Sequence, residues 1–127
     1  MFKYLRLILV LFLFIACASK TPQLSKSATI LIKTPKMKFY DKGFVSFFPF
    51  YTQLQVFSAG SLVLDLKVYE ERICKSTFKC LSPEAFNEEF LHSSYKKDFF
   101  KKLIEQKEQK VIFRDKENHI LIKIIKD

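Results

Sequence analysis

Apolar residues recur at every second position through most of residues 29–73, and this spacing constrains the fold more than any other feature of the chain. Residues 62–69 are the clearest case, because leucines and Val68 alternate there with Asp65 and Lys67. A period of two is typical of a pleated strand with one buried face. The segment therefore predicts an antiparallel sheet whose second face is partly open.

Short breaks in this alternation predict the turns of the sheet. Thr34 and Pro35 interrupt the first apolar run, Asp41 to Gly43 reads as a hairpin turn, and Ala59 to Ser61 reads as another. Glycine permits positive φ in such turns, and Asp and Ser favour them through side-chain hydrogen bonds to the backbone. We expect consecutive hairpins here.

A helix start follows at Ser82, Pro83 and Glu84. Serine caps free amides, proline at the first helical position loses no donor, and Glu84 opposes the positive end of the helix dipole. Apolar residues then recur at steps of three to five as far as Ile104, which predicts an amphipathic helix. The serines after His92 leave two alternatives open, one long helix or a kinked pair.

The alternation of two returns after Gln109 and predicts a C-terminal hairpin. Hairpin strands, one helical segment and a last hairpin indicate the α+β class. We therefore expect a mainly antiparallel sheet of hairpins with one long or kinked helix packed on one face. The predicted organisation is a leader in residues 1–16, a flexible tether in 17–27 and a single domain in 28–127.

The N-terminus carries two basic residues, Lys3 and Arg6, followed by an unbroken apolar run over residues 7–16. Such a run rises about 15 Å as a helix, roughly half the hydrocarbon thickness of a bilayer. An apolar run of this length, preceded by basic residues, is typical of an export signal. A short transmembrane anchor is the alternative.

The end of this run, Phe14, Ile15, Ala16 and Cys17, resembles the lipobox of bacterial lipoprotein signal peptides. The resemblance covers about the first 20 residues and leaves the domain unassigned. It implies a diacylglycerol on the Cys17 thiol, cleavage by signal peptidase II before Cys17, and palmitate or a similar acyl chain on the new amino group. Ala18 in the next position resembles the class sorted to the outer membrane, so we expect a lipid-anchored envelope protein facing the periplasm.

The chain is basic, with 22 Lys and Arg against 13 Asp and Glu, and loss of the leader would remove only two of these charges. A cationic body held beside a membrane is attracted to anionic lipid or glycan within a Debye length. The alternative is an ordinary solvated surface. We expect no nucleic-acid partner, because the basic residues are spread along the chain rather than clustered with aromatic residues.

Cys74 and Cys80 are the two cysteines outside the lipobox. In an oxidising compartment such a pair normally forms a disulfide. A redox role is the rival interpretation, but the spacing is not Cys-x-x-Cys. We expect a structural bond between the end of a strand and the start of the helix.

Catalytic and metal-binding patterns are missing from the sequence. The two histidines, His92 and His119, have no neighbouring motif that would make either one a base or a ligand, and the carboxylates Asp65, Glu70 and Glu71 read as solvated. We therefore expect no enzymatic activity, no cofactor and no metal.

The most unusual segment is residues 44–51, where Phe47, Phe48, Phe50 and Tyr51 cluster around Pro49. Alternation along a strand sends neighbouring rings to opposite faces, and Pro49 interrupts pairing, so part of the cluster should be exposed. Exposed aromatic residues favour docking of a partner, and core packing is the alternative.

The predicted function is a non-enzymatic binding or assembly subunit for an envelope protein. The alternative is a module that binds lipid or glycan between helix and sheet.

Overall fold

The computed structural model describes residues 2–15, 24–76 and 79–127. Its helices are α1 (Phe2–Ile15), α2 (Pro83–Phe90) and α3 (Phe99–Ile104). Its strands are β1 (Leu24–Lys33), β2 (Lys38–Phe47), β3 (Tyr51–Ser58), β4 (Ser61–Tyr69), β5 (Ile73–Lys75), β6 (Lys79–Leu81), β7 (Lys110–Asp115) and β8 (Ile120–Lys126).

The eight strands form one sheet in the order β6-β5-β4-β3-β2-β1-β8-β7, and every neighbouring pair is antiparallel. Six strands follow one another as hairpins, and the chain then passes through α2 and α3 before the final hairpin pairs with β1. The predicted mainly antiparallel sheet is confirmed. The helical segment joins one edge of the sheet to the other.

One face of the sheet, which we call the covered face, carries the hydrophobic core. Alternate strand residues such as Ile30, Leu66 and Ile122 are fully buried there, and they pack with Phe86 of α2 and Phe100 of α3. The period-two pattern therefore places the apolar set beneath the helices. Burial of such side chains contributes about 1.5–3 kcal/mol each.

The prediction of one long helix is wrong, because α2 and α3 are short helices separated by residues 91–98, a break that includes the serines after His92. The start of α2 matches the prediction, since Ser82 Oγ accepts a hydrogen bond from Ala85 N at 3.2 Å. Backbone groups after Phe90 find partners outside a helix: Asn87 Nδ2 donates to the Lys96 carbonyl at 2.9 Å, and Tyr95 N donates to the His92 carbonyl at 3.2 Å. These bonds replace helical ones and stop the helix.

The expected turn at Asp41 to Gly43 is also wrong, because these residues lie inside β2. A Cβ on Gly43 would lie 1.9 Å from the Gln55 carbonyl oxygen and 2.7 Å from Ile30 Cδ1. Gly43 is therefore required because the neighbouring strand β3 approaches it too closely for a side chain. Glycine inside a strand often marks such a close approach. The turn at Ala59 and Gly60 is confirmed, with φ of 50° and 82° in the pattern of a tight hairpin.

The first strand begins earlier than expected. Residues 24–27, which the sequence assigned to the tether, are the start of β1, and they pair with the end of β2 as Leu24 with Phe47. Residues 24–27 are therefore part of the sheet. Cys17, the predicted lipidation site, lies outside the described residues.

The apolar N-terminal segment is helical over Phe2–Ile15. Phe2, Tyr4 and Leu5 are largely exposed in this helix. Among the described residues, no helix combines the length and apolar character needed to cross a membrane.

The Lys126 side chain connects the end of β8 to the segment before β7 through hydrogen bonds. Its side chain is buried, and its Nζ donates to the carbonyl oxygens of Gln106 and Glu108. Burial lowers the pKa of this ammonium group below its ordinary value. The role of Lys126 is structural, since it satisfies carbonyls that follow α3.

Candidate functional site

A row of stacked aromatic rings lies where β2, β3 and β4 end or begin. The Phe48 and Tyr51 rings stack at 4.5 Å, and the Tyr51 and Tyr69 rings follow at 5.0 Å. Tyr51 pairs directly with Tyr69 across β3 and β4, which brings their side chains together on one face. The guanidinium of Arg72 lies 4.0 Å from the Tyr69 ring centre and extends the row. We call Phe48, Tyr51, Tyr69 and Arg72 the aromatic row.

The four predicted docking residues occupy three different environments. Phe47 is half-buried and packs against the core, whereas Phe48 and Tyr51 are half-buried in the aromatic row. Phe50 is 84% exposed at the tip of the turn, which Phe48 N closes by donating to the Tyr51 carbonyl at 2.9 Å. Pro49 and this turn therefore separate Phe50 from the other three rings.

The face of the sheet opposite the helices, which we call the open face, has a groove of about 460 Å³ across β2, β1 and β8. Lys33, Lys38 and Lys123 line it together with Leu31, Tyr40 and Leu121. Register explains the grouping, since Leu31 lies between Tyr40 on one side and Lys123 on the other. We call this the cationic groove.

A second groove, of about 540 Å³, lies between α3 and strand β7. Its apolar lining includes Phe99, Leu103 and Phe113, and it is also lined by Lys96 and by an ion pair of Lys102 with Asp98 at 2.9 Å. We call it the helix groove. It occupies the place where the sequence allowed a ligand between helix and sheet.

Tyr95 lines the helix groove and is held by the final hairpin. Its hydroxyl donates to Asp115 Oδ2 at 2.5 Å, and Asn118 Nδ2 donates to the same oxygen at 2.7 Å. The Tyr95 bond first, and then the Asn118 bond, lowers the pKa of Asp115. Burial and the neighbouring carboxylate raise the pKa of Tyr95 above its ordinary value, so the phenol stays protonated.

The histidines and carboxylates that the sequence analysis considered as catalytic candidates lie in turns or make local hydrogen bonds. His92 Nδ1 lies 2.6 Å from Ser94 Oγ and also accepts from Ser94 N at 3.1 Å, and His119 occupies a turn with φ of 57°. Asp65 accepts from Gln53 Nε2 at 2.8 Å in the middle of β4, and Glu70 lies beyond the end of that strand. In residues 2–15, 24–76 and 79–127, no three His, Cys, Asp or Glu side chains form a metal-binding group.

The expected disulfide joins Cys74 of β5 to Cys80 of β6. The two residues pair directly across these short strands, and Cys74 lies opposite Lys67 of β4. The bond therefore lies on the open face at one edge of the sheet. It closes the β5–β6 hairpin just before the helix start at Ser82.

Comparisons with protein-family models, with curated proteins and with solved structures find no match for this chain. The surfaces described above are therefore the basis for a functional proposal.

The cationic groove is the feature that sequence reasoning missed. Its lysines lie far apart in the sequence, at positions 33, 38 and 123, and each looks like an ordinary solvated residue. The signal that was available is alternation, because each lysine occupies the side of its strand opposite the buried residues. Only the pairing of β8 with β1 makes them neighbours.

Proposed function

We propose that this chain is a lipid-anchored cell-envelope protein that acts as a non-enzymatic binding subunit on the periplasmic side of a membrane. The observation that carries the proposal is the N-terminal order of features: a helix over Phe2–Ile15, then Ala16 and Cys17, then a strand domain that begins at Leu24. In this proposal the acyl chains on Cys17 hold the domain at the outer membrane. Two or more chains are needed for durable anchoring.

The proposed docking surface is the turn that carries Phe50 together with the aromatic row beside it. Phe50 is mostly exposed, and aromatic side chains of this kind are enriched at the centres of protein interfaces. The turn lies at the same end of the sheet as the start of β1, because Leu24 pairs with Phe47. An anchor at Cys17 would therefore keep this surface close to the membrane and raise its effective concentration toward a membrane-bound partner.

The anchor is tested by Cys17→Ala in the full chain, expressed in a bacterium that processes lipoproteins. We expect the wild-type protein to fractionate with the outer membrane and to have a mature mass that begins at an acylated Cys17. The variant should keep its leader and lose the acyl mass. An unmodified Cys17 in the wild-type protein would contradict the anchor.

The dock is tested by placing a photocrosslinking residue at Phe50 of the full-length protein in its native membrane. Lys116, exposed in the β7–β8 turn, is the matched control position. We expect one dominant envelope protein to crosslink from position 50 and not from position 116. Equal crosslinking from both positions, or none from position 50, would contradict a dock at the turn.

The helix groove favours a second candidate function, the binding of a lipid or glycan fragment. Phe99, Leu103 and Phe113 offer an apolar lining, and Lys96 offers charge for an anionic end, whereas Lys102 is already paired with Asp98 of the same lining at 2.9 Å. Native mass spectrometry of the full chain purified from membranes should then find a copurified small molecule. Phe99→Gln, at a half-buried position of the lining, should abolish it, and Phe50→Ala should leave it in place.

A further inference from the structure

The open face of the sheet has a one-sided charge distribution across β1, β2, β7 and β8. Its cations, in chain order, are Lys33, Lys38, Lys42, Lys110, Arg114 and Lys123. The carboxylate on the same strands and face is Asp127, at the end of β8, 3.0 Å from Lys42. By contrast, residues 83–105, which include α2 and α3 on the covered side, contain five carboxylates and four lysines and are nearly neutral. The field of this half of the domain is therefore positive on the open face.

Apolar side chains stand among these cations and are exposed. Tyr40 is 69% exposed and Ile112 is 56% exposed, and Leu31 and Leu121 are half-buried between them. Register makes the surface continuous, because Lys123 lies between Leu31 of β1 and Ile112 of β7. The result is a mainly apolar row that contains Lys123 and has further lysines on both sides.

The lysines of the groove are free to reach outward. Within the described part of the chain, no hydrogen bond or ion pair engages the side-chain nitrogens of Lys33, Lys38 or Lys123. Lysine is a point charge on a flexible apolar stem, so it can lay the stem on apolar surface and extend the ammonium to a phosphate. A fluid anionic surface suits such groups, because it requires no fixed donor geometry.

From this complementarity we propose that the open face around the cationic groove binds the anionic phospholipid surface of a bilayer. Lys33, Lys38 and Lys123 contact phosphate groups, and Tyr40 and Ile112 sit at the level of the headgroups. Tyrosine is enriched at that depth because its ring contacts apolar groups while its hydroxyl remains hydrated. Interfacial binding by an apolar patch and surrounding lysines follows the rules of amphipathic surfaces in general.

The geometry is compatible with the proposed anchor, although this surface does not depend on it. The groove lies about 23 Å along β1 from Leu24, at strand geometry. A segment from Cys17 to Leu24 reaches at most about 25 Å. An anchored domain could therefore lay its open face against the membrane, leaving the Phe50 turn at the other end of β1.

The test uses the full chain with Cys17→Ala, so that no acyl chain contributes to binding. Its partition is measured into vesicles of phosphatidylcholine alone and of phosphatidylcholine mixed with phosphatidylglycerol. Lys33→Gln with Lys123→Gln removes two groove charges. Lys97→Gln with Lys107→Gln is the matched control, because both residues are exposed and lie outside the sheet, one before α3 and one after it.

We expect the groove variant to lose about 25-fold in partition into the anionic vesicles, at about five-fold per lysine. The control should lose less than about three-fold, and neither pair should change partition into the neutral vesicles. Rising salt should weaken the anionic preference of the parent chain more than that of the groove variant. Contributions of the N-terminal helix are identical in these three proteins and cancel.

Tyr40→Ala tests the apolar part of the surface, and it should lower partition into both kinds of vesicle. Equal losses in the groove variant and the control would overturn the proposal. The absence of any preference for anionic vesicles would also overturn the proposal. Binding to polyglutamate without binding to vesicles would overturn it too, and would indicate an acidic protein as the partner. An acylated Cys17 decides the proposed anchor separately, so the two proposals can fail independently.

Discussion

The two faces of the sheet are made by the same strands, yet they differ in almost every physical property. The covered face holds Ile30, Leu66 and Ile122 against the helices, with no exposure to solvent beyond a trace. The open face holds lysines, glutamines and tyrosines in the alternate positions of those strands. Residues that stabilise the fold and residues available for recognition are therefore neighbours in sequence, one position apart along each strand. Substitutions on the covered face should therefore change mainly stability, and substitutions on the open face should change mainly binding.

The largest effect should come from replacing a core phenylalanine. Phe100→Ala removes a fully buried ring beneath α3 and should cost about 3–5 kcal/mol of unfolding free energy. Phe44→Ala on the open face, where the ring is 41% exposed and meets Phe57 edge to face, should cost about 1 kcal/mol. Urea denaturation of both variants measures the contrast. Equal costs would contradict the assignment of Phe100 to the core and of Phe44 to the open face.

The next largest effect concerns the two glycines. Gly43→Ala places a Cβ against the Gln55 carbonyl inside the sheet and should cost about 3 kcal/mol. Gly60→Ala meets no atom within 4 Å but must adopt positive φ, so it should cost about 1 kcal/mol. Thermal unfolding should place Gly43→Ala well below Gly60→Ala. The reverse order would contradict the close approach of β2 and β3.

Removal of the disulfide should have an intermediate effect. Cys74→Ala with Cys80→Ala opens the short β5–β6 loop and should lower the unfolding free energy by about 2.4 kcal/mol on the chain-entropy account. The bond lies on the open face, so this result would show that the open face is not free of structural contributions. Denaturation of the wild-type protein with and without reductant gives the same quantity. A difference below about 0.5 kcal/mol would contradict that account.

The bond between Tyr95 and Asp115 predicts a titration on the covered side. The native-state pKa of Asp115 is lowered, so its stabilising contribution is complete above the unfolded pKa, near about 3.9, and is lost as pH falls through the native pKa. Tyr95→Phe should raise the Asp115 pKa toward that ordinary value in a carboxyl NMR titration. Asp98, whose pKa Lys102 lowers, is the internal control and should not move.

The smallest effect on stability should come from the groove lysines. Lys33→Gln with Lys123→Gln removes exposed or half-exposed charges without described partners and should change the unfolding free energy by less than about 0.5 kcal/mol. The same pair is expected to have the large effect on vesicle binding described above. This opposite ranking of stability and binding is the sharpest form of the comparison. A pair that unfolds the domain would contradict it.

Much of the fold could be predicted from local sequence. Alternation placed the covered face of β4 and of the final hairpin correctly, and Ser82 and Pro83 marked the start of α2 because capping acts within a few residues. The disulfide followed from the two cysteines. Two interpretations failed where distant groups intervened. Residues 91–98 leave the helix as Asn87 and Tyr95 find other partners, and Gly43 serves a neighbouring strand rather than a turn.

Local sequence was enough to assign the apolar side of β4 and of the final hairpin, because that assignment depends only on a spacing of two. It could not determine which strands are neighbours, since pairing joins residues as far apart as Leu31 and Lys123. The placement of β8 beside β1 gathers the lysines into the cationic groove, and the turn after Phe47 decides that Phe50 faces solvent while Phe47 packs on the core. Both outcomes depend on burial of the whole covered face, which is a property of the folded chain and of no single segment.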